Sequence, residues 1–327
     1  MTDRLPVEAL KQIKSWLSGF DSISGLNKFL ENRTGIINFF RSLSDIKEFE
    51  QFIESLGDTN VSDRDLGDFQ TPIHLTDKIC RIIRDSCFTP DLVIEPTCGE
   101  GHFVISAIKL FPTLKHIYCV DKQSKYEWFF KLNILSLSFD WNIPAKIEFY
   151  QDDIFTHQIS SRFRKILNGK EQQNLLILGN PPWITCSELS VLNSDNLPSK
   201  SNIKNLRGIE AITGKGNFDI AENIILRLIQ QFQNTEGKIA MLCKTSVIRN
   251  IVRDIPKLKL GISNVQTMLI DGKKEFGINA DAALFIADLN IKGKKSCSIS
   301  YLYEPNTQIR EYGWLNDKFV SDIELYE

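Results

Sequence analysis

The sequence predicts an α/β fold: a doubly wound, mostly parallel seven-stranded sheet of Rossmann-like type, with a helical N-terminal extension. Three observations predict it. From Phe69 onward, short apolar runs of strand length alternate with stretches of helical period, the pattern of a parallel sheet with helices on both faces. Several of those runs end in an acid or an asparagine beside glycine or proline. Polar groups therefore gather at the carboxyl ends of strands, where open α/β sheets keep their ligands. The 327 residues are 42% hydrophobic and 24% charged, enough for one sizeable core.

Residues 1–66 precede this alternation. Val7, Ala9, Leu10, Ile13, Trp16, Leu17 and Phe20 keep helical spacing, and 36–53 continues it with Phe39, Phe40, Leu43, Ile46, Phe49 and Phe52. Such helices cannot bury their apolar faces alone, so they must pack on the main body or on a partner. The polar stretch 58–68 reads as a linker.

The alternating unit spans 67–290. Thr71-Pro72 opens a helix to about Cys87, and 91–94 is a short strand. A helix at 106–110, a strand at 117–120, a helix at 126–137 and a strand at 147–150 follow, then the strand 175–178. A polar excursion, 186–216, has no clear period. Beyond it come an amphipathic helix at 219–232, a strand at 238–243, a basic helix at 246–254, and strands at 265–270 and 282–289. Residues 291–327 are left as a short tail.

Net charge is -2, so any nucleic-acid contact must rest on local patches. Seven cysteines show no C-x-x-C pair and no metal spacing; they are expected to be reduced thiols of a cytoplasmic protein, with no metal site. No apolar run approaches the ~20 residues needed to span a bilayer, so no membrane partner is expected.

The chemistry-bearing residues come in series. In 93–103, VIEPTCGEGHF, a strand ends in Glu95 and a loop with Gly99 and Gly101 leads into a helix. The glycines let the backbone turn sharply and approach a ligand. There is no strict G-x-G-x-x-G and no Walker lysine, which disfavours a phosphate cradle; Glu95 suits a cation such as the ammonium of an amino acid. Asp121 ends the next strand, ~20 residues beyond the glycine loop, where an acid can hold ribose hydroxyls. Asp152-Asp153-Ile154-Phe155 follows the third strand. Singly, each acid is more often a helix cap or a solvated turn. The fourth strand then runs into Asn180-Pro181-Pro182-Trp183, where two prolines end the ladder and fix an extended backbone. An amide oxygen and a proline carbonyl there can accept hydrogen bonds from an exocyclic amino group while the aromatic face stacks on its ring.

This ordered set, EPTCGEGHF, VDK, DDIF and NPPW, resembles that of class I S-adenosylmethionine-dependent methyltransferases, and more narrowly the gamma-type adenine-N6 DNA methyltransferases. The resemblance covers roughly 69–289. It extends to FQTP at 69–72, to GKGNFD at 214–219 and to Glu275-Phe276-Gly277, where the family keeps an aromatic residue against the flipped base. It implies S-adenosyl-L-methionine as cofactor, with Thr71, Glu95, Pro96, Thr97, Gly99 and Gly101 around its methionine end. Asp121 and Lys122 would lie at the ribose, and Asp153 with Ile154 or Phe155 at its adenine. It implies a flipped adenine held by Asn180, Pro181, Pro182 and Trp183 and backed by Phe276. Lys200, Lys204, Arg207 and Lys215, with Asn217 of GKGNFD, cluster where double-stranded DNA would lie, and equally suit a solvated face. A second basic group is Lys244, Arg249, Arg253, Lys257 and Lys259. No covalent intermediate is required, which is consistent with the lack of a nucleophilic cysteine; Cys98 reads as a loop filler and His102 as a helix-start residue.

The resemblance breaks after Leu289. Family members that read DNA unaided carry a sizeable recognition domain there, and 290–327 is too short for one. The expectation is therefore a split enzyme, or a methyltransferase working with a separate specificity or recognition subunit in a restriction-modification or defence system. Two alternatives stay open: an acceptor in RNA or a protein glutamine amide, and a non-catalytic interaction subunit.

Overall fold

The computed structural model describes residues 7–56, 70–169, 173–184 and 219–326. Its strands are β1 (Leu92–Glu95), β2 (His116–Asp121), β3 (Lys146–Gln151), β4 (Leu175–Gly179), β5 (Gly237–Lys244), β6 (Ile262–Asp271), β7 (Asp281–Leu289), β8 (Ser296–Tyr301), β9 (Arg310–Leu315) and β10 (Lys318–Val320). They form one sheet in the order β10-β9-β8-β6-β7-β5-β4-β1-β2-β3. β1 and β4, LVIE and LLILG, are buried along their whole length, as strands covered on both faces must be. The five strands from β3 to β5 run parallel. β7 then inserts antiparallel to both β5 and β6, and β8 runs parallel to β6.

Seven strands were expected and the described residues hold ten. The additional three come from 296–320, which the sequence suggested was a tail. β8, SCSISY, is short and polar at every second residue, so it lacks the apolar run that marks the central strands. β9 and β10 continue the sheet as an antiparallel pair. Trp314 Nε1 donates to the Val252 carbonyl at 3.0 Å, fastening this extension to the helix below it.

The helices are α1 (Val7–Ser18), α2 (Ile23–Thr34), α3 (Leu43–Ser55), α4 (Ile73–Asp85), α5 (His102–Leu110), α6 (Lys125–Asp140), α7 (Ser161–Leu167), α8 (Ile220–Gln231), α9 (Thr245–Leu258) and α10 (Gly272–Phe276). The N-terminal three pack on α6 through aromatic side chains. Trp16 stacks on Phe139 at 5.3 Å between centroids, and Phe49 meets Trp128 at 5.5 Å. Glu127 is buried between Arg41 (2.7 Å) and Lys131 (2.6 Å), and the Lys131 ammonium also reaches the Phe39 carbonyl. The helix expected over 36–53 begins only at Leu43, capped by Ser42. The reason is Gly35, which ends α2 at φ 73° and turns the chain onto the edge of β3. There Ile147 N–H donates to the Gly35 carbonyl at 2.8 Å and Ile37 N–H to the Ile147 carbonyl at 2.9 Å.

From β1 the chain winds outward through β2 to β3; from β4 it winds the other way to β5. The direction of winding reverses between β1 and β4, which pair from Leu92↔Leu175 to Ile94↔Ile177. Loops leaving the carboxyl ends of these two strands diverge there, and a cleft opens.

Candidate active site

The loop after β1 forms the floor of this cleft. Gly99 and Gly101 have φ of 49° and 82°, conformations that cost other residues about 1–3 kcal/mol. A Cβ on Gly99 would lie 2.5 Å from Gln70 Oε1, and one on Gly101 would lie 2.6 Å from Phe130 Cδ2 of α6. Gly99 thus admits the side chain of Gln70, which accepts from Glu100 N–H at 3.1 Å. Gly101 serves helix packing instead and does not line the cleft. His102, the first residue of α5, brings Nδ1 to 2.7 Å from the Thr71 carbonyl, fastening the segment before α4 to the same loop.

Acids stand at the ends of β1 and β2, and a third lies just beyond β3. Glu95 is buried. Burial, with the Cys119 thiol and Asp121 nearby, pushes its carboxyl well above the usual carboxylate range, against one backbone hydrogen bond from Val104. Among the described residues, Glu95 Oε2 and Thr97 Oγ1 are buried without a hydrogen-bond partner. A buried acid left this way is disfavoured unless a cationic donor arrives. Asp121 accepts from Gly99 N–H at 2.7 Å and from Gln123 N–H at 2.9 Å. Asp153 accepts from Phe155 N–H at 2.9 Å and meets Lys122 at 3.2 Å, which shapes the turn carrying Ile154 and Phe155. Cys98 lies buried beside them, and burial raises its thiol far above its ordinary value, which disfavours the thiolate.

Beyond β4 the NPPW turn starts beside the glycine-loop side: a Cβ on Gly179 would make ordinary contacts with Pro96 Cδ at 3.4 Å and Glu95 Cγ at 3.7 Å. Trp183 is buried, its Nε1 donating to the Leu242 carbonyl of β5 at 3.2 Å. Phe276, the last residue of α10, meets its ring edge-on at 5.1 Å and 69°. Trp183 is therefore an anchored wall of the cleft. Ile220 N–H donates to the Ile184 carbonyl at 2.9 Å, bringing the start of α8 to the same place.

The cleft holds about 1150 Å³ of empty space, open solvent included. Thr71, Glu95, Pro96, Thr97, Gly99, Asp121, Lys122, Asp153, Ile154, Phe155, Asn180, Pro181, Pro182, Trp183 and Phe276 all line it. Lys200, Lys204, Arg207, Lys215 and Asn217 lie outside the described residues. Lys244, grouped with the basic residues above, pairs with the α8 cap Asp219 at 2.8 Å. Sequence reasoning missed Gln70, Gln123 and Tyr126 as lining residues. Gln70 sits in the FQTP stretch and could have been found there; Tyr126 carries no signal, since its place follows from how α6 leaves β2. Among the described residues no three metal-ligating side chains come together, and no helix is long and apolar enough to cross a membrane.

Residues 42–269 match the family model described as N-6 DNA Methylase. Type II methyltransferase M.NspV from Nostoc sp. is 36% identical over 258 residues, covering 79% of this chain and 52% of that protein. The chain thus spans about half the length of the curated relative it matches. A type I restriction-modification system methyltransferase subunit from Streptococcus thermophilus superposes over 76% of this chain and 50% of its own, at 10% identity and a TM-score of 0.46. The type I restriction enzyme EcoKI M protein covers 89% of this chain and 64% of its own, at 9% identity and a TM-score of 0.43. With its family model matched over more than half its length, the chain belongs to the N-6 DNA methylase family.

Proposed function

We propose that this chain transfers a methyl group from S-adenosyl-L-methionine to the N6 amino nitrogen of a flipped adenine in double-stranded DNA. The observation that carries the reading is that Asn180-Pro181-Pro182-Trp183 shares one cleft with Glu95, Asp121 and Asp153. Family membership and the likeness to a protein named a type II methyltransferase support it. The cofactor, when bound, supplies an electrophilic methyl carbon on a sulfonium.

The orphaned Glu95 Oε2 and Thr97 Oγ1 fit a group bearing an ammonium and further donors. Glu95, Thr97 and Thr71, with Pro96 and Gly99 beside them, would hold its methionine end. Asp121, beside Lys122, would take its ribose, and Asp153 with Ile154 or Phe155 its adenine. The N6 lone pair of the acceptor is delocalised into the ring and is poorly nucleophilic. Hydrogen bonds from N6–H to the Asn180 side-chain oxygen and the Pro181 carbonyl, with Pro182 fixing the turn, favour a pyramidal nitrogen. Much of the acceleration then comes from alignment of nitrogen and methyl in a cleft walled by Trp183 and Phe276. Adenine stacked in a duplex cannot reach such a site, so it must be extruded. Lys200, Lys204, Arg207 and Lys215, with Asn217, supply the charge and polarity a phosphate backbone needs. We place the enzyme in the cytoplasm, within a restriction-modification or defence system and paired with a specificity or recognition subunit.

The test is transfer of tritiated methyl to unmethylated plasmid DNA, RNA and protein, with Asn180→Ala alongside and with the neighbouring gene product added or withheld. Label on DNA adenine that requires Asn180 supports the reading. Label confined to RNA or protein, or indifferent to Asn180, sinks it.

A further inference from the structure

Glu275 is next to Phe276 in the five-residue helix α10, and its side chain is 1% exposed. Two side chains from distant parts of the chain hold it. His74, in the first turn of α4, brings Nε2 to 2.6 Å from Oε2; Tyr303, just after β8, donates its hydroxyl to Oε1 at 2.6 Å. The Tyr303 ring is half-exposed, with Lys274 Nζ 5.3 Å and Lys78 Nζ 5.7 Å from its centroid. Burial, then hydrogen bonding to Glu275, raises the Tyr303 hydroxyl to about 12, so it remains a donor across the range in which enzymes work.

A helix of five residues has too few internal hydrogen bonds to hold an orientation alone. Asp271 caps its start at Lys273 and Lys274 N–H, and Gly277 ends it at φ 71°. Neither contact reaches the ring of Phe276, which lines the cleft edge-on to Trp183. Beside the packing of Phe276 and Ile278 on the core, the Glu275 bridge ties the carboxyl end of α10 sideways, to α4 on one hand and to the segment after β8 on the other.

We propose that His74 and Tyr303, acting through Glu275, are positioning residues that set Phe276 against Trp183 and so shape the acceptor end of the cleft. The inference rests on the reading above that a nucleobase enters beside Phe276. It gives 296–320 a part in acceptor binding that its place at the far edge of the sheet does not suggest.

The experiment places 4-fluorophenylalanine at position 276 of the full chain and records its fluorine resonance alone and with Tyr303→Phe, His74→Ala or Glu275→Gln. Tyr301→Phe is the control, an exposed neighbour outside the bridge. We expect the resonance to shift or broaden in the three bridge variants and not in the control. In methylation assays the KM for DNA should rise about tenfold in Tyr303→Phe, with the KM for S-adenosylmethionine within about twofold. A resonance identical in position and width across all variants overturns the bridge, as does an equal rise in both KM values. Should Glu275→Gln fail to fold, Tyr303→Phe decides, since it removes one hydroxyl and keeps the ring. An unaltered chain that methylates no DNA even with the neighbouring gene product added overturns the acceptor reading alone, and the resonance still decides the bridge.

Discussion

Asp121 Oδ2 accepts the backbone N–H of Gly99 at 2.7 Å, so the acid at the end of β2 shapes the loop that follows β1. The carboxylate shapes the floor of the cleft and, on the function proposed above, would also hold the ribose of the cofactor. Asp121→Ala removes both roles and should lower S-adenosylmethionine affinity at least about a hundredfold. Asp121→Asn, which can still accept from Gly99, should lose less. Isothermal titration of the two variants measures the difference.

Glu95 makes stability and binding respond oppositely to one substitution. Its folded carboxyl titrates above the unfolded value of about 4.3, so the native state holds a proton that the unfolded chain has released. Stability attributable to this group is therefore complete below that unfolded value and is lost as pH rises through the raised one. Glu95→Gln should raise the melting temperature of the ligand-free protein near neutral pH and flatten its pH dependence. Affinity for S-adenosylmethionine should fall in the same variant. In the unaltered protein that affinity should weaken as pH drops and the carboxyl protonates. Thermal melts and titrations between pH 5 and 8 check both signs.

Gly101→Ala should destabilise the fold without touching a ligand-contacting atom. Its φ of 82° and the Phe130 ring 2.6 Å from a new Cβ combine strain with overpacking, a loss of about 2–4 kcal/mol. Urea unfolding measures it.

The buried Glu127 offers a test of the N-terminal packing. Glu127→Ala leaves the Lys131 ammonium enclosed without its carboxylate, and burial already depresses that ammonium's pKa. A loss of about 3–5 kcal/mol is expected. Arg41→Ala, whose guanidinium is half-exposed, should cost far less. Denaturant midpoints of the two variants give the comparison.

The parallel half of the sheet was legible because β1, β2 and β4 are buried on both faces and read as unbroken apolar runs. The order of the acids was legible because Glu95 and Asp121 each close such a run and Asp152-Asp153 follows the shorter apolar stretch of β3. β8, β9 and β10 were not, since β8 alternates serine with apolar residues, β10 is only three residues long, and none of the three holds an unbroken apolar run. The helical spacing over 36–53 misled in a different way: apolar residues at those intervals also suit a segment that pairs with a strand edge, and Gly35 rather than periodicity decides. The bridge at Glu275 was invisible because its three members lie far apart in sequence and carry no common pattern.

The pairing of residues 35–37 with Ile147 reaches beyond the N-terminal helices. It satisfies the outward-facing N–H and carbonyl of Ile147 on the edge strand β3, which would otherwise lie open to a passing extended chain. Shortening the protein to begin at Gln70 would bare that edge together with Trp128 and Phe129 on α6. The shortened chain would retain every residue of the cleft and yet tend to self-associate and precipitate. The amino-terminal segment is thus a guard of colloidal behaviour, whatever else it does.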